Sequence, residues 1–242
     1  MDDTPYKKLR YTKRWFAYFD LLGFAQLVRT REIQSVLPIY ERVLETIEEK
    51  ANAKKSQGIG YSWFSDTFII FSKGNSLEEF GVIEQIARLF FQKLILHKIP
   101  VRGAISYGNL YSQQEKNIFL GEALMDAYEY GEKQNWLNFV ITPSAAVALE
   151  KLEFPMNERA HYRLITKSGV ITHPGDKKIF AYAFNNGTVN GINPLLKALR
   201  SMKEVSPKEQ GIKYENTIEF IELYGWKSHN NSMQPNAKAS AD

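Results

Sequence analysis

Between residues 14 and 141 the apolar residues of the chain switch back and forth between the period of a strand and the period of a helix, and the order of those switches admits few folds. "RWFAYFDLL" (14 to 22) reads as a buried strand. "IQSVLPIYERVLETIEEK" (33 to 50) then repeats apolar residues at helical spacing through Ile33, Leu37, Tyr40, Leu44 and Ile47. "YSWFSDTFIIFSK" (61 to 73) alternates as two short strands joined at Ser65-Asp66. A long amphipathic helix follows, opened by Ser76 and Glu79 in capping-box positions and ended before Pro100. A strand from Val101 to Ile105, a polar loop at 112 to 117 leading to a return strand, a helix at about 121 to 134 and a strand at 137 to 145 complete the series.

This β-α-β-β-α-β order is that of the ferredoxin-like or split βαβ arrangement, an α+β fold with a mostly antiparallel sheet. Further on, 162 to 184 reads as hairpin strands hinged on Lys167-Ser168-Gly169 and Pro174-Gly175-Asp176. Beyond Asn185 come two helical stretches, near 192 to 203 and 207 to 225, and a polar tail expected to be disordered. The expected division is a basic arm at 1 to 13, a main domain at 14 to 185, a helical extension at 186 to 226 and the tail at 227 to 242.

The first strand carries Asp20 near its end, and the hairpin carries Asp66 at its tip. An acid at a turn is ordinary, because Asp bonds to its own backbone there. The commonest two-residue turns, however, need Gly or Asn for positive φ, and Ser65-Asp66 offers neither. In the expected layout both acids reach the same edge of the sheet. Two carboxylates about 4 Å apart repel by roughly 4 kcal/mol at an effective dielectric near 20, a penalty that a divalent cation removes. Oxygen ligands of this kind suit Mg²⁺ or Mn²⁺, which take their remaining ligands from water and substrate phosphates.

With 242 residues and a net charge of +4, the chain is long enough for one larger domain with an appendage and only mildly basic. Five basic residues crowd into "KKLRYTKR" (7 to 14), as a solvated arm or, more weakly, as a phosphate attractor. The absence of cysteine excludes disulfides and thiolate metal sites. Apolar runs are broken well before the about 18 residues of a membrane span, and no signal peptide opens the chain, so a cytoplasmic location without membrane or specific nucleic-acid partner is expected. His97, His161, His173 and His229 show no ligand spacing. The acids Glu122, Asp126, Glu129 and Glu132, at helical spacing, read as a solvated face.

"FDLLGF" (19 to 24), "FSDTFIIF" (64 to 71), "RGAISYG" (102 to 108) and "GEALMDAYEYGE" (121 to 132) resemble, in order and approximate spacing, the motifs of class III nucleotidyl cyclases. The resemblance covers residues 14 to 185. In size the chain is most similar to the stand-alone pyrimidine nucleotide cyclases of bacterial anti-phage (Pycsar) systems. It implies a palm-type cyclase domain in which Asp20 and Asp66, with Leu21 beside them, hold two Mg²⁺ or Mn²⁺ ions. The backbone of Leu21, Leu22, Gly23 and Phe24 would cradle phosphates, and the 3′-hydroxyl of a nucleoside triphosphate would attack its own α-phosphorus. A homodimer and a separate cyclic-nucleotide effector are implied too.

The chain departs from the family where an Asn and an Arg stabilise the transition state, since Met125 and Glu129 stand there. Arg102, Lys133 or the 7 to 14 arm would have to substitute, although Arg102 also reads as a structural partner for an acid behind the sheet. Ser62 and Ile118 stand at base-reading positions without the adenine-reading Lys and Asp. A palm-type oligonucleotide synthase and a catalytically silent nucleotide-binding or interaction module are the alternatives of the same fold.

Overall fold

The computed structural model describes residues 10–30, 33–53, 58–159, 161–165, 178–184 and 193–224. Strand β1 (Thr12–Leu21) is followed by a short helix α1 (Phe24–Thr30), helix α2 (Ile33–Ala53) and the hairpin β2 (Ile59–Phe64) and β3 (Thr67–Ser72). Helix α3 (Leu77–Leu96) leads to β4 (Val101–Gln113), β5 (Ile118–Leu120), helix α4 (Glu122–Glu132) and β6 (Phe139–Ile141). Then come α5 (Pro143–Lys151), β7 (Tyr162–Leu164), β8 (Phe180–Tyr182), α6 (Pro194–Val205) and α7 (Gly211–Tyr224). The sheet order is β2-β3-β1-β4-β6-β8-β7, with β5 paired to the far part of β4. Within it β4 and β6 run parallel and the other pairs antiparallel, as the alternation of strands and helices requires.

β1 is central, and its alternation builds two cores. Trp15, Ala17, Phe19 and Leu21 face the layer that contains α3, where Phe68 stacks on Phe90 with ring centroids 4.1 Å apart. Phe16 and Tyr18 face the opposite side, together with Ile69, Phe71 and the alanines Ala123 and Ala127 of α4. Small residues let α4 lie close to the strands. Gly121 ahead of it has φ +146°, and a Cβ there would lie 2.2 Å from the Asn109 carbonyl oxygen, so both backbone and space require glycine.

The capping box expected at α3 is present: the Glu79 amide donates to the Ser76 hydroxyl at 3.2 Å and the Ser76 amide donates to the Glu79 carboxylate at 3.0 Å. Ser76→Ala is expected to cost about 1 kcal/mol, a fall of about 2–4 °C in Tm by calorimetry. The hairpin tip answers the missing Gly or Asn by placing Ser65 at φ +56°.

Two expectations need correction. The strand read over 137–145 is confined to Phe139–Ile141, and α5 starts directly after it, with Pro143 at its first turn. A proline there has no amide to waste and a φ suited to the helix. The acids of α4 are also not simply a solvated face: Glu122 accepts from Asn109 at 3.1 Å, Asp126 accepts from the hydroxyls of Thr142 and Ser144 at 2.7 and 2.6 Å, and Glu132 pairs with Arg102. The hinges expected at 167–169 and 174–176, the polar tail and residues 1–9 of the basic arm lie outside the described residues.

α6 and α7 pack at one end of the sheet, α6 against α3 and α7 against α6. α7 is tied to the segment before β6 through two bonds: Asn216 donates to the Asn135 carbonyl at 2.8 Å and Leu137 N–H donates to the Thr217 hydroxyl at 2.8 Å, while that hydroxyl donates within α7 to the Lys213 carbonyl at 2.8 Å. Among the described residues no helix is long and apolar enough to cross a membrane.

Candidate functional site

Register brings the sequence motifs together at the end of β1. Asp20 lies opposite Thr67 on β3 and opposite Arg102 on β4. The next two amides leave the sheet ladder: Leu21 N–H donates to the Asp66 carbonyl at 2.9 Å and Leu22 N–H donates to the Pro100 carbonyl at 2.8 Å. The first of these bonds holds the hairpin tip against the end of β1. Gly23, at φ +70°, then turns the chain into α1, a conformation that disfavours any side chain. Of the four amides expected to cradle phosphate, those of Leu21 and Leu22 are therefore used within the fold, and those of Gly23 and Phe24 have no partner among the described residues.

Asp20 falls on the α4 side of the sheet with Tyr18, and Arg102 reaches it there. Arg102 Nε donates to Asp20 Oδ2 at 3.0 Å, Nη1 donates to the carbonyls of Glu132 and Gln134 at 2.6 and 3.3 Å, and Nη2 pairs with the Glu132 carboxylate. Tyr18 donates its hydroxyl to the other Glu132 oxygen at 2.9 Å. The Arg102 side chain is 11% exposed and that of Asp20 14%, so this is a buried charge cluster. Burial pushes the Asp20 carboxyl above the usual carboxylate range; Glu132 adds to the rise, Arg102 opposes it, and Asp66 adds a further part.

Asp66 is half-buried at the rim between the two layers. Its charge acts on Asp20 on one side and on Tyr40 of α2 on the other, where burial first and Asp66 second push the Tyr40 hydroxyl up to about 12. Among the described residues no side-chain hydrogen bond or ion pair ends on the Asp66 carboxylate, and the buried Tyr40 hydroxyl has no partner either. No group of three or more His, Asp or Glu is arranged for a metal ion among the described residues, so the rim offers a two-acid set.

The remaining expected residues spread outward. Ser62 lies on β2 opposite Ile69, on the Asp20 side of the sheet, and its hydroxyl stands 3.5 Å from Asn117, next to Ile118. The two positions expected to read the base are thus neighbours. Met125 is 68% exposed on the outer surface of α4, and Glu129 pairs there with Lys133. Of the basic arm, Arg14 donates to Ser112 at 2.8 Å and is buried six residues before Asp20, about 20 Å away along a strand. Lys213 of α7 is a residue that motif reading missed: it is half-buried, and Arg102, Asp20 and Glu132 all act on its charge. It follows the last matching motif by many residues, so no local signal marks it.

Neither a protein-family model nor a curated protein matches the chain. Solved structures do. The adenylyl cyclase CyaB from P. aeruginosa matches with a TM-score of 0.51 at 11% identity, over 72% of this chain and 95% of that one. The catalytic core of a rhodopsin-guanylyl cyclase with converted specificity, in complex with ATPalphaS, gives 0.52 at 10% identity over 71% and 94%. The guanylate cyclase domain of RhGC from Catenaria anguillulae, in complex with GTP, gives 0.51 at 10% identity over 71% and 95%. At such identities the likeness is one of fold: a mixed α+β, palm-type sheet of the kind found in adenylyl and guanylyl cyclase catalytic domains.

Proposed function

We propose that the protein is a divalent-metal-dependent nucleotidyl cyclase that converts a nucleoside triphosphate to a 3′,5′-cyclic nucleotide and pyrophosphate. The observation that carries this reading is the pair Asp20 and Asp66 at one rim, beside the Gly23 turn, on a fold shared with cyclase domains. The donor set fits a hard cation. Asp20 is buried among excess negative charge from Glu132 and Asp66, only partly offset by Arg102, and Asp66 has no competing side-chain bond among the described residues.

In this reading Asp66 and the Asp20 oxygen not engaged by Arg102 would hold Mg²⁺ or Mn²⁺, two ions, with Leu21 as the third position of the metal site. Bound ions supply Lewis-acid neutralisation of the charge that develops during phosphoryl transfer. The chain's own residues position the substrate: Gly23 and Phe24 border the phosphates and Ser62 borders the base. The bond from the 3′-oxygen to the α-phosphorus forms as the bond from that phosphorus to the bridging oxygen breaks. Pyrophosphate leaves with the electron pair and the hydroxyl proton passes to solvent. Arg102 acts on this site through Asp20, whose orientation it sets. A pyrimidine base, a homodimer and a separate effector in anti-phage signalling follow from the resemblance to Pycsar-type cyclases and complete the proposal.

Met125 and Glu129, which bring no cation to α4, favour a second reading: a catalytically silent nucleotide-binding module. One experiment separates them. Purified protein is incubated with each of the four ribonucleoside triphosphates and Mn²⁺, and the products are read by mass spectrometry. A cyclic monophosphate with pyrophosphate is expected from at least one triphosphate. Linear or cyclic oligonucleotides would identify a synthase, and no product from any of the four would leave the silent module.

A further inference from the structure

A cavity of about 420 Å³ lies between the turn that follows Asp20 and the C-terminal helices, and it is of a size that takes a small molecule. Leu21 to Phe24 and Pro100 form one wall, and Glu209, Lys213 and Tyr214 form the other. The second wall belongs to a part of the chain beyond the motifs that resemble cyclases. Resting on the reading that a triphosphate binds beside Asp20, we propose that Lys213 contacts that triphosphate in this cavity and supplies the cation that α4 lacks at Met125 and Glu129.

Three observations carry the assignment. First, Lys213 is positioned by its helix: the side chains of Asn216 and Thr217, one turn further on, bind α7 to Asn135 and Leu137, close after Gln134, whose carbonyl accepts from Arg102. Its location over the Asp20 cluster is therefore built into the fold. Second, Arg102 already pairs with Asp20 and Glu132, while no hydrogen bond or ion pair of the Lys213 amine occurs among the described residues. The other lysine of the cavity, Lys98, already donates to Ser201 at 2.9 Å.

Third, the position is locally unfavourable for a cation. Lys213 sits in the first turn of α7, where the helix dipole repels positive charge, and burial lowers its affinity for a proton below that of an ordinary lysine. Neither penalty is relieved by a direct partner among the described residues. A polyphosphate in the cavity relieves both. Glu209 on the same wall is exposed, so its charge is screened by solvent.

The test measures binding of inorganic tripolyphosphate in the presence of Mn²⁺ by calorimetry, with Tm recorded for each variant. Lys213→Gln is expected to weaken binding about tenfold to a hundredfold, as for loss of one charge-assisted bond, with Tm unchanged or raised. Lys213→Arg is expected to retain most of the affinity. Lys203→Gln, which removes an exposed lysine paired with Glu215, is expected to change nothing. Wild-type affinity in Lys213→Gln would overturn the proposal, as would a fall in Tm with affinity intact, the mark of a structural counter-ion. Absence of tripolyphosphate binding by the wild type would overturn it as well. Binding that depends on Lys213 in a protein that yields no cyclic nucleotide would leave this site standing and remove the cyclase reading.

Discussion

Asp66→Asn is expected to lower turnover about 10³-fold or more, equivalent to about 4 kcal/mol of transition-state stabilisation, while Tm stays within about 2 °C. The tip residue's backbone, not its carboxylate, holds the fold: the Asp66 carbonyl accepts from Leu21, and that bond survives the substitution. The carboxylate's described neighbours are electrostatic, Asp20 and Tyr40, and removing its charge eases both. A second readout needs no turnover. Mn²⁺ is expected to raise the Tm of the wild type, by about 2.7 kcal/mol of stabilisation at a hundred times its Kd, and to leave Asp66→Asn unmoved. Full activity with an unchanged Mn²⁺ response in the variant would remove Asp66 from the proposed metal site.

Arg102→Met is expected to destabilise the protein by about 3–5 kcal/mol, read from the denaturant midpoint. Removing one partner of a buried charge pair leaves the other uncompensated, and here two carboxylates, Asp20 and Glu132, lose the same guanidinium. The loss is expected to depend on pH with a definite sign. Asp20 already titrates above its unfolded value of about 3.9, so ionising it opposes folding, and its contribution to stability is present at low pH and lost as pH rises through the raised value. Arg102 counters that rise, so the variant's deficit is largest above the Asp20 titration and shrinks as pH falls through it. A deficit below about 1 kcal/mol would mean that Arg102 is not held by these acids and is free to serve substrate. Adding Asp20→Asn to Arg102→Met recovers part of the stability if the pair is coupled as described.

Segments with a clean period and an explicit end signal were legible from the letters. The Ser76 and Glu79 box names the start of α3 because both bonds are made within one turn of chain. The alternation of β1 assigns Asp20 to a face because strand geometry leaves two choices. α5 was not legible as a helix, since the apolar run before it continues into Ala145 and Ala146 and the proline at its first turn was the sole stop signal. Helical spacing also grouped the α4 acids correctly but could not tell which were covered. Glu132 meets Arg102 because β4 passes under the end of α4, a contact between residues 30 apart.

What the sequence determined by itself is the alternating order of strands and helices, and with it a mostly antiparallel sheet that brings residues 20 and 102 to neighbouring strands and the hairpin tip with residue 66 beside them. Local periodicity and capping are short-range properties, and residues a few positions apart suffice to set them. Only the tertiary structure decided that Arg102 is engaged by two acids, that the Leu21 and Leu22 amides are used in the fold, and that the charge of Lys213 comes under the influence of the Asp20 cluster. Those outcomes depend on which groups satisfy one another's charge and hydrogen bonds after distant segments pack, and no spacing along the chain encodes that exchange.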